Sequence, residues 1–268
     1  MGAIMIKNNK GIFHWFGYIQ PFEERIKLIK QAGFDYCMLW WEDESYPYHI
    51  SRMEFNKIIE FYDLKLDNIH LPFDNVNNLW CEDKRIRSNE INVIKKWLNE
   101  CKSCGCDVVV MHNTKGNNHK FNYSLGYDSF EQIIEEANKI NIKIALENTQ
   151  MFEYTDFLFR ELQSTNLGFC YDSSHDFVHG GSCGYILEKW KDRLIAVHLS
   201  DNDGMYDRHW IPGKGHVDWK KVMHIIKETN IKSYSMETYP YEEEKNLQPS
   251  EFLAKAIKAL DAKIYELL

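Results

Sequence analysis

The chain has 268 residues, 44% of them hydrophobic and 27% charged, with a formal net charge of −8. That length suits one large α/β barrel or two small domains, and the acidic balance argues against a partner held mainly through a phosphate backbone. No apolar run reaches the ~18 residues that a membrane span needs. The opening MGAIMIKNNKGIFHW lacks the apolar length and small-residue cleavage pattern of a signal peptide. Ile6 stands where a myristoylation signal after Gly2 requires Ser or Thr. Seven cysteines, an odd number, suggest no paired framework and fit a reducing cytoplasm. Cys101-x-x-Cys104-x-Cys106 has no second Cys or His cluster at zinc-finger spacing and reads as packing and turn residues.

In chain order, the first apolar segment, Gly11–Phe16, is followed by helical spacing over Phe22–Ala32 that stops at Gly33. Tyr36–Trp41 reads as a buried strand ending at Glu42, and a helix is expected within Ser51–Tyr62. Lys65–Ile69 is a short strand ending at His70. Ile91, Ile94, Trp97, Leu98 and Cys101 share one face of a helix over Ser88–Cys101. Asp107–Met111 is the strongest strand pattern and ends at His112. A polar loop over Asn113–Tyr127 precedes a helix over Ser129–Ile140. Lys143–Leu146 is a strand ending at Glu147, and a helix over Thr155–Leu162 follows. Leu167–Tyr171 is a strand ending at Asp172, with His175 three residues on. A short helix over Tyr185–Asp192 leads to the strand Leu194–Val197, which ends at His198. Its polar loop carries Asp201, Asp203, Asp207, Arg208 and His209, then the turn Pro212-Gly213-Lys214-Gly215. Asp218 caps a helix over Trp219–Glu228. Lys232–Met236 is the last strand, ending at Glu237, and a final helix spans about Pro249–Leu267.

Eight short strands alternating with helices are the rhythm of a parallel β/α architecture. Count and length match a single (β/α)8 TIM barrel over residues 1–268; no linker or low-complexity stretch divides it. In such a barrel the C-terminal strand ends open on one face, where active sites sit. Six consecutive strands here end on imidazole or carboxylate. His70, His112, Glu147, Asp172, His175, His198, Asp207, His209 and Glu237 are therefore nine candidate metal ligands on one face. Buried carboxylates so close together repel unless cations neutralise them. Oxygen and nitrogen donors suit Zn²⁺, Mn²⁺, Mg²⁺ or Co²⁺. Cys170, two residues before Asp172, lies on the same strand face one layer deeper and reads as barrel packing.

The motifs Ala145-Leu146-Glu147-Asn148, Asp172-x-x-His175, Val197-His198-x-Ser200-Asp201, Asp207-Arg208-His209-x-x-Pro212-Gly213-x-Gly215 and Met236-Glu237 resemble the xylose-isomerase-like TIM-barrel superfamily. That superfamily contains sugar isomerases and epimerases and the endonuclease IV type of DNA repair enzyme. The epimerase branch implies one divalent ion held by Glu147, Asp172, His198 and Glu237. It implies that the two glutamates also transfer protons on opposite sides of the substrate, and that His175 and Arg208 touch substrate oxygens. The endonuclease branch implies three zinc ions and all nine positions, with phosphoester hydrolysis at abasic sites as the reaction.

Near the strand ends, His14, Trp15, Phe16, Trp40, Trp41 and Trp210 are expected to ring the mouth, an arrangement suited to a small polyol. Ordinary packing explains Trp40 and Trp41 as well. The acidic runs Glu42–Glu44 and Glu242–Glu244 oppose a DNA backbone, although Lys115, His119 and Lys120 follow the fourth strand. The favoured reading is therefore a metal-dependent sugar or sugar-phosphate isomerase or epimerase. One ion is expected and up to three have ligands. The alternative is the trinuclear-zinc phosphodiesterase. A non-catalytic barrel is disfavoured because both candidate proton-transfer glutamates are intact. The expected partner is a small sugar rather than nucleic acid or membrane, in a cytoplasmic protein compatible with a homo-oligomer.

Overall fold

Eight parallel strands alternate with helices through residues 9–265, the part of the chain described by a computed structural model. The strands are β1 (Lys10–Phe13), β2 (Tyr36–Trp40), β3 (Lys65–His70), β4 (Val108–Met111), β5 (Lys143–Glu147), β6 (Leu167–Asp172), β7 (Leu194–His198) and β8 (Tyr234–Met236). They are hydrogen-bonded in the order β7-β6-β5-β4-β3-β2-β1-β8. A parallel bridge between Leu199 and Met236 brings the two edges together, and the Leu199 amide donates to the Ser235 carbonyl at 2.9 Å. The expected (β/α)8 barrel is therefore the observed one.

The helices are α1 (Phe22–Ala32), α2 (Phe55–Phe61), α3 (Lys84–Ser103), α4 (Tyr123–Ile140), α5 (Phe152–Glu161), α6 (Ser173–His179), α7 (Tyr185–Trp190), α8 (Trp219–Lys227) and α9 (Pro249–Tyr265). Each long helix turns an apolar stripe inward, as Ile91, Ile94, Leu98 and Cys101 do on α3. None of the described helices is long and apolar enough to cross a membrane. Several element bounds shift by a few residues, α3 starting at Lys84 rather than Ser88 and α5 at Phe152 rather than Thr155, and three departures have a clear physical cause. α4 starts six residues earlier than Ser129, because the Asn122 side chain caps it by accepting from the Ser124 and Leu125 amides at 3.1 and 3.4 Å. α6 has no apolar periodicity of its own and is set by its cap, Asp172. β1 ends at Phe13, and Phe16 turns away from the mouth to stack on Phe252 of α9 at 6.3 Å.

The main core lies between the strands and the helices. Inside the barrel, Val110, Ala145, Cys170 and Ala196 form a separate layer of small side chains beneath the strand ends. β3 and β8 are not sheet neighbours, so the contact between Asp67 and the hydroxyls of Ser233 and Ser235 crosses the barrel interior. Both hydroxyls donate to the carboxylate at 2.5 Å. Burial raises the Asp67 pKa, and the two serine donors only partly offset it.

The loop after β7 is organised by Asp201, which is fully buried. Its carboxylate accepts from the Gly213 amide at 2.7 Å, the Val217 amide at 3.0 Å and the Trp219 indole at 2.8 Å. The Pro-Gly-x-Gly turn is what permits this wrapping. A Cβ on Gly215 would stand 2.1 Å from the Asn202 carbonyl oxygen, and Gly213 takes φ +92°. Asp201→Ala should therefore leave several buried donors unpaired and cost about 3 kcal/mol or more. The check is the urea midpoint of unfolding; a midpoint equal to that of the parent would refute this account of the loop.

Candidate functional site

His70, Glu147, Asp172 and His198 are the last residues of β3, β5, β6 and β7, and His112 and Glu237 follow β4 and β8 directly. Successive parallel strands thus deliver six polar side chains to one end of the barrel. His175 stands on the first turn of α6, while Asp207 and His209 come from the loop after β7. All nine predicted ligands fall into three groups whose donor atoms lie within 4.8 Å of one another. The first is His70, His112 and Glu147. The second is Glu147, Asp172, His198 and Glu237. The third is His175, Asp207 and His209.

Glu147 joins the groups. Its carboxylate, 1% exposed, stands 3.0 Å from His70 Nε2, 3.3 Å from His112 Nε2, 3.3 Å from His175 Nδ1 and 3.5 Å from His198 Nδ1. His198 Nδ1 is also 3.1 Å from Glu237 Oε2. Asp207 Oδ2 lies 3.1 Å from His175 Nε2 and 2.9 Å from His209 Nε2. Backbone carbonyls orient three of the rings. His70 Nδ1 is 2.8 Å from the Leu71 carbonyl oxygen, His175 Nδ1 is 3.1 Å from that of Asn148, and His209 Nδ1 is 3.1 Å from that of Glu237. With those Nδ1–H groups donating, each Nε2 turns toward a carboxylate, which is how metal-ligating histidines are set. His209 reaches its position with φ +50°, a sparsely populated region for a non-glycine residue.

Two aromatic rings fix the imidazoles from the side. Phe73 stacks on His112 with centroids 3.9 Å apart, and Trp40 on His70 at 5.2 Å. Asn148 ties β5 to β6: it accepts from the Asp172 amide and donates to the Asp172 carbonyl, both at 2.8 Å. The Asp172 side chain spends one oxygen on the His175 amide at 2.7 Å. Its other oxygen is buried with no hydrogen-bond partner, and the buried His198 ring lies against the carboxylates of Glu147 and Glu237. An unpartnered carboxylate oxygen on a residue whose group of candidate ligand atoms lies within 4.8 Å of one another fits a cation.

The charges of several of these groups depend on one another. Burial opposes a proton on His209, yet Asp207 and Glu237 outweigh it and push the pKa up to about 10. His175 is likewise raised well above the imidazole range by Asp172 and Asp207, against its burial. Burial would raise Glu237, but His209 and His198 bring it down to about 2. Asp172 goes the other way: burial lifts it to about 6, with His175 opposing and Glu147 adding to the rise. His112 falls to about 4 because burial outweighs the attraction of Glu147.

Beside these groups a cavity of about 640 Å³ opens toward the β1 and β2 side of the mouth, with Glu237 and His209 on its wall. Of the expected aromatic ring, His14, Trp15 and Trp40 line it, together with Phe73 and Tyr239, which the sequence pattern did not single out. Trp41 instead points into the helix layer, where its indole donates to Glu100 at 3.2 Å. Trp210 packs on Tyr241 at 4.5 Å and is not part of the cavity wall. Arg208 is held within its own loop by Asp203 at 3.0 Å and lies over the Tyr206 ring. The acidic runs are more than solvated turns. Glu244 is buried between Lys214 and Lys255, and Glu44 pairs with a fully buried arginine, Arg25 of α1.

A sequence profile described as xylose isomerase-like TIM barrel matches residues 26–262. An uncharacterized protein of Sinorhizobium fredii, y4fM, is 24% identical over 261 residues, covering 83% of each chain. Among solved structures, a D-tagatose 3-epimerase-like protein superposes with a TM-score of 0.76 at 20% identity, over 97% of this chain and 100% of the other. D-psicose 3-epimerase of Clostridium cellulolyticum H10, crystallised with D-tagatose, gives a TM-score of 0.77 at 16% identity over 96% and 98%.

Metal uptake by these groups should release protons, because His175 and His209 hold theirs at neutral pH and an imidazole binds metal only when neutral. Affinity for Zn²⁺ should thus rise with pH, by about tenfold per unit for each proton displaced. Titration of chelator-treated protein between about pH 6 and 8 measures it, and a pH-independent affinity would contradict the ring charges described. His112→Ala should lower the zinc content found by elemental analysis while leaving the circular-dichroism spectrum unchanged; equal metal content would remove His112 from the ligand set.

Proposed function

Because the chain belongs to the xylose isomerase-like TIM-barrel family, we propose that it is a divalent-metal-dependent isomerase or epimerase of a small sugar. One observation carries this reading. Glu147 and Glu237 direct carboxylate oxygens to a common point with Asp172 and His198, at the end of a cavity sized for one small molecule. Glu147, Asp172, His198 and Glu237 would hold the ion. When bound, the ion supplies the positive charge that acidifies the carbon-bound proton between a carbonyl and its neighbouring hydroxyl. Zn²⁺, Mn²⁺, Mg²⁺ and Co²⁺ are all compatible with this oxygen and nitrogen set.

The chain's own groups then divide the work. One of the two glutamates takes the proton from carbon, and the other returns one from the opposite face. Glu237 is held ionised by His209 and His198 despite its burial, so it stands ready as a base. His175, fixed by the Asn148 carbonyl, is set to orient a substrate oxygen. Arg208 remains a candidate for the same task, and would have to leave Asp203 to reach it. Trp15 and Trp40 offer apolar faces for the carbon-bound hydrogens of a sugar. The epimerase-like solved structures support this substrate class by their likeness of fold. All seven cysteines are free thiols, which supports a reducing cytoplasm.

A second reading rests on a different observation. The groups His70–His112–Glu147 and His175–Asp207–His209 are surplus to a one-ion epimerase, and they are what a three-zinc phosphodiesterase acting at abasic sites would use. The acidic rim at Glu42, Asp43 and Glu44 opposes a duplex there.

Glu147→Gln keeps the side-chain shape but removes its basicity. With Mn²⁺, Mg²⁺ or Co²⁺ added, it should slow exchange of the carbon-bound proton of ketoses or ketose phosphates in deuterated water by about 10²–10⁴-fold. Cleavage of an abasic-site duplex by the zinc-loaded parent at enzyme-like rates, with no exchange into any sugar, would select the hydrolase reading instead.

A further inference from the structure

The cavity has a second polar end, away from the nine ligands. There the loop after β2 brings in Glu44, whose side chain is 17% exposed and lines the wall. Its Oε1 is fully engaged. It pairs with an Nη2 of Arg25, which is completely buried, and it lies 3.3 Å from His14 Nε2. His14 Nδ1 accepts the Trp40 amide hydrogen at 3.4 Å, so Nε2 carries the ring's hydrogen and donates it to Glu44. Burial keeps that ring neutral and outweighs Glu44. Glu44 itself stays ionised, since His14 and Arg25 together overcome the cost of its burial. Arg25 lies over the faces of Trp15 at 5.0 Å and Phe22 at 5.8 Å. It is therefore clamped, and clamps Glu44 in turn. Oε2 accepts no hydrogen bond among the described residues. A charged, rigidly held acceptor thus faces the same cavity whose wall includes Glu237.

The other wall groups set the sign of the charge that fits. Among the described residues, no lysine or arginine lines the cavity. Asp43 has Arg52 at 3.2 Å, but that guanidinium also binds Glu100 at 3.0 Å on the helix side. Glu42 is met only by the Trp40 indole, which donates at 2.6 Å. A phosphoryl group, carrying about −1.5 to −2 charges at pH 7, would lie against these carboxylates with no arginine fork to receive it. Sugar hydroxyls, in contrast, donate to a carboxylate, and the sugar's C–H faces pack on Trp15 and Trp40.

We propose that Glu44 is the residue that selects the substrate, accepting hydroxyl hydrogen bonds from the far end of an unphosphorylated sugar, with Arg25 and His14 as its positioning residues. The proposal rests on the isomerase reading for its chemistry, and its binding can be measured without that chemistry. Two measurements on the Mn²⁺-loaded protein decide it. In the first, quenching of tryptophan fluorescence reports binding of D-fructose, D-psicose, D-tagatose and L-ribulose, compared with D-fructose 1-phosphate and 6-phosphate. The free sugars should bind at least about tenfold more tightly than the phosphates. In the second, Glu44→Gln should weaken free-sugar binding about tenfold or more, and raise KM by a like factor with kcat changed less than about threefold. A merely structural role would lower both or neither.

Tighter binding of the phosphates, or a Glu44→Gln protein that binds free sugars as the parent does, overturns the proposal and leaves the isomerase reading intact. Sugar binding weakened by Glu44→Gln with no proton exchange in any sugar removes the isomerase reading and keeps the proposal. No binding of any free sugar sinks the proposal. Should Glu44→Gln fail to fold, the comparison of free and phosphorylated sugars on the parent protein decides alone.

Discussion

The site depends on one buried carboxylate, that of Glu147. It is almost free of solvent, and four imidazoles approach it. A carboxylate so placed is ionised only if positive charge is close at hand, because desolvation alone would protonate it. Histidine protons meet that need in the metal-free chain, and a divalent ion meets it better. Asp172 and Glu237 are subject to the same constraint. The excess of acid at the strand ends is therefore stable only with positive charge beside it, which protonated imidazoles supply here and a bound divalent ion would supply in their place.

The barrel supplies the rigidity that this competition requires. The ligands sit at the ends of hydrogen-bonded parallel strands, and three of the imidazoles are pinned by backbone carbonyls. Beneath them, Asp67 is held by the Ser233 and Ser235 hydroxyls, and in the layer of Val110, Ala145, Cys170 and Ala196 the polar group is the Cys170 thiol. Burial pushes that thiol up to about 12, so it stays protonated at neutral pH. The mouth is asymmetric. The candidate ligands come from β3 to β8 and the loops that follow them, whereas β1, β2 and their loops bring His14, Trp15, Trp40 and the Glu44 clamp to the cavity.

The strands were legible because each is a short apolar run, and six of them close on a polar residue that is itself a candidate ligand. His70, Glu147, Asp172 and His198 could be read from that pattern with no knowledge of their neighbours. α6 was not legible, since Ser173–His179 has no apolar face and is set by the Asp172 cap. The long polar stretch after β4 hid the first turn of α4 for a similar reason: an asparagine cap, not periodicity, marks its start. Arg25 and Glu44 escaped notice because each looks ordinary in its own segment, one on a helix and one in an acidic run.

By itself the sequence determined the alternation of strand and helix, the barrel that follows from it, and the residue types standing at the strand ends. These are local properties: a period of two or 3.6 and a chemical identity at a boundary are both written in neighbouring residues. Only the tertiary structure decided that the nine candidate ligands form three groups, two of them sharing Glu147, that Phe73 and Tyr239 rather than Phe16, Trp41 and Trp210 wall the cavity, and that Glu44 is an ion-paired acceptor. Those facts depend on distances between segments far apart in the chain. Barrel closure and loop packing set such distances, and no local pattern encodes them.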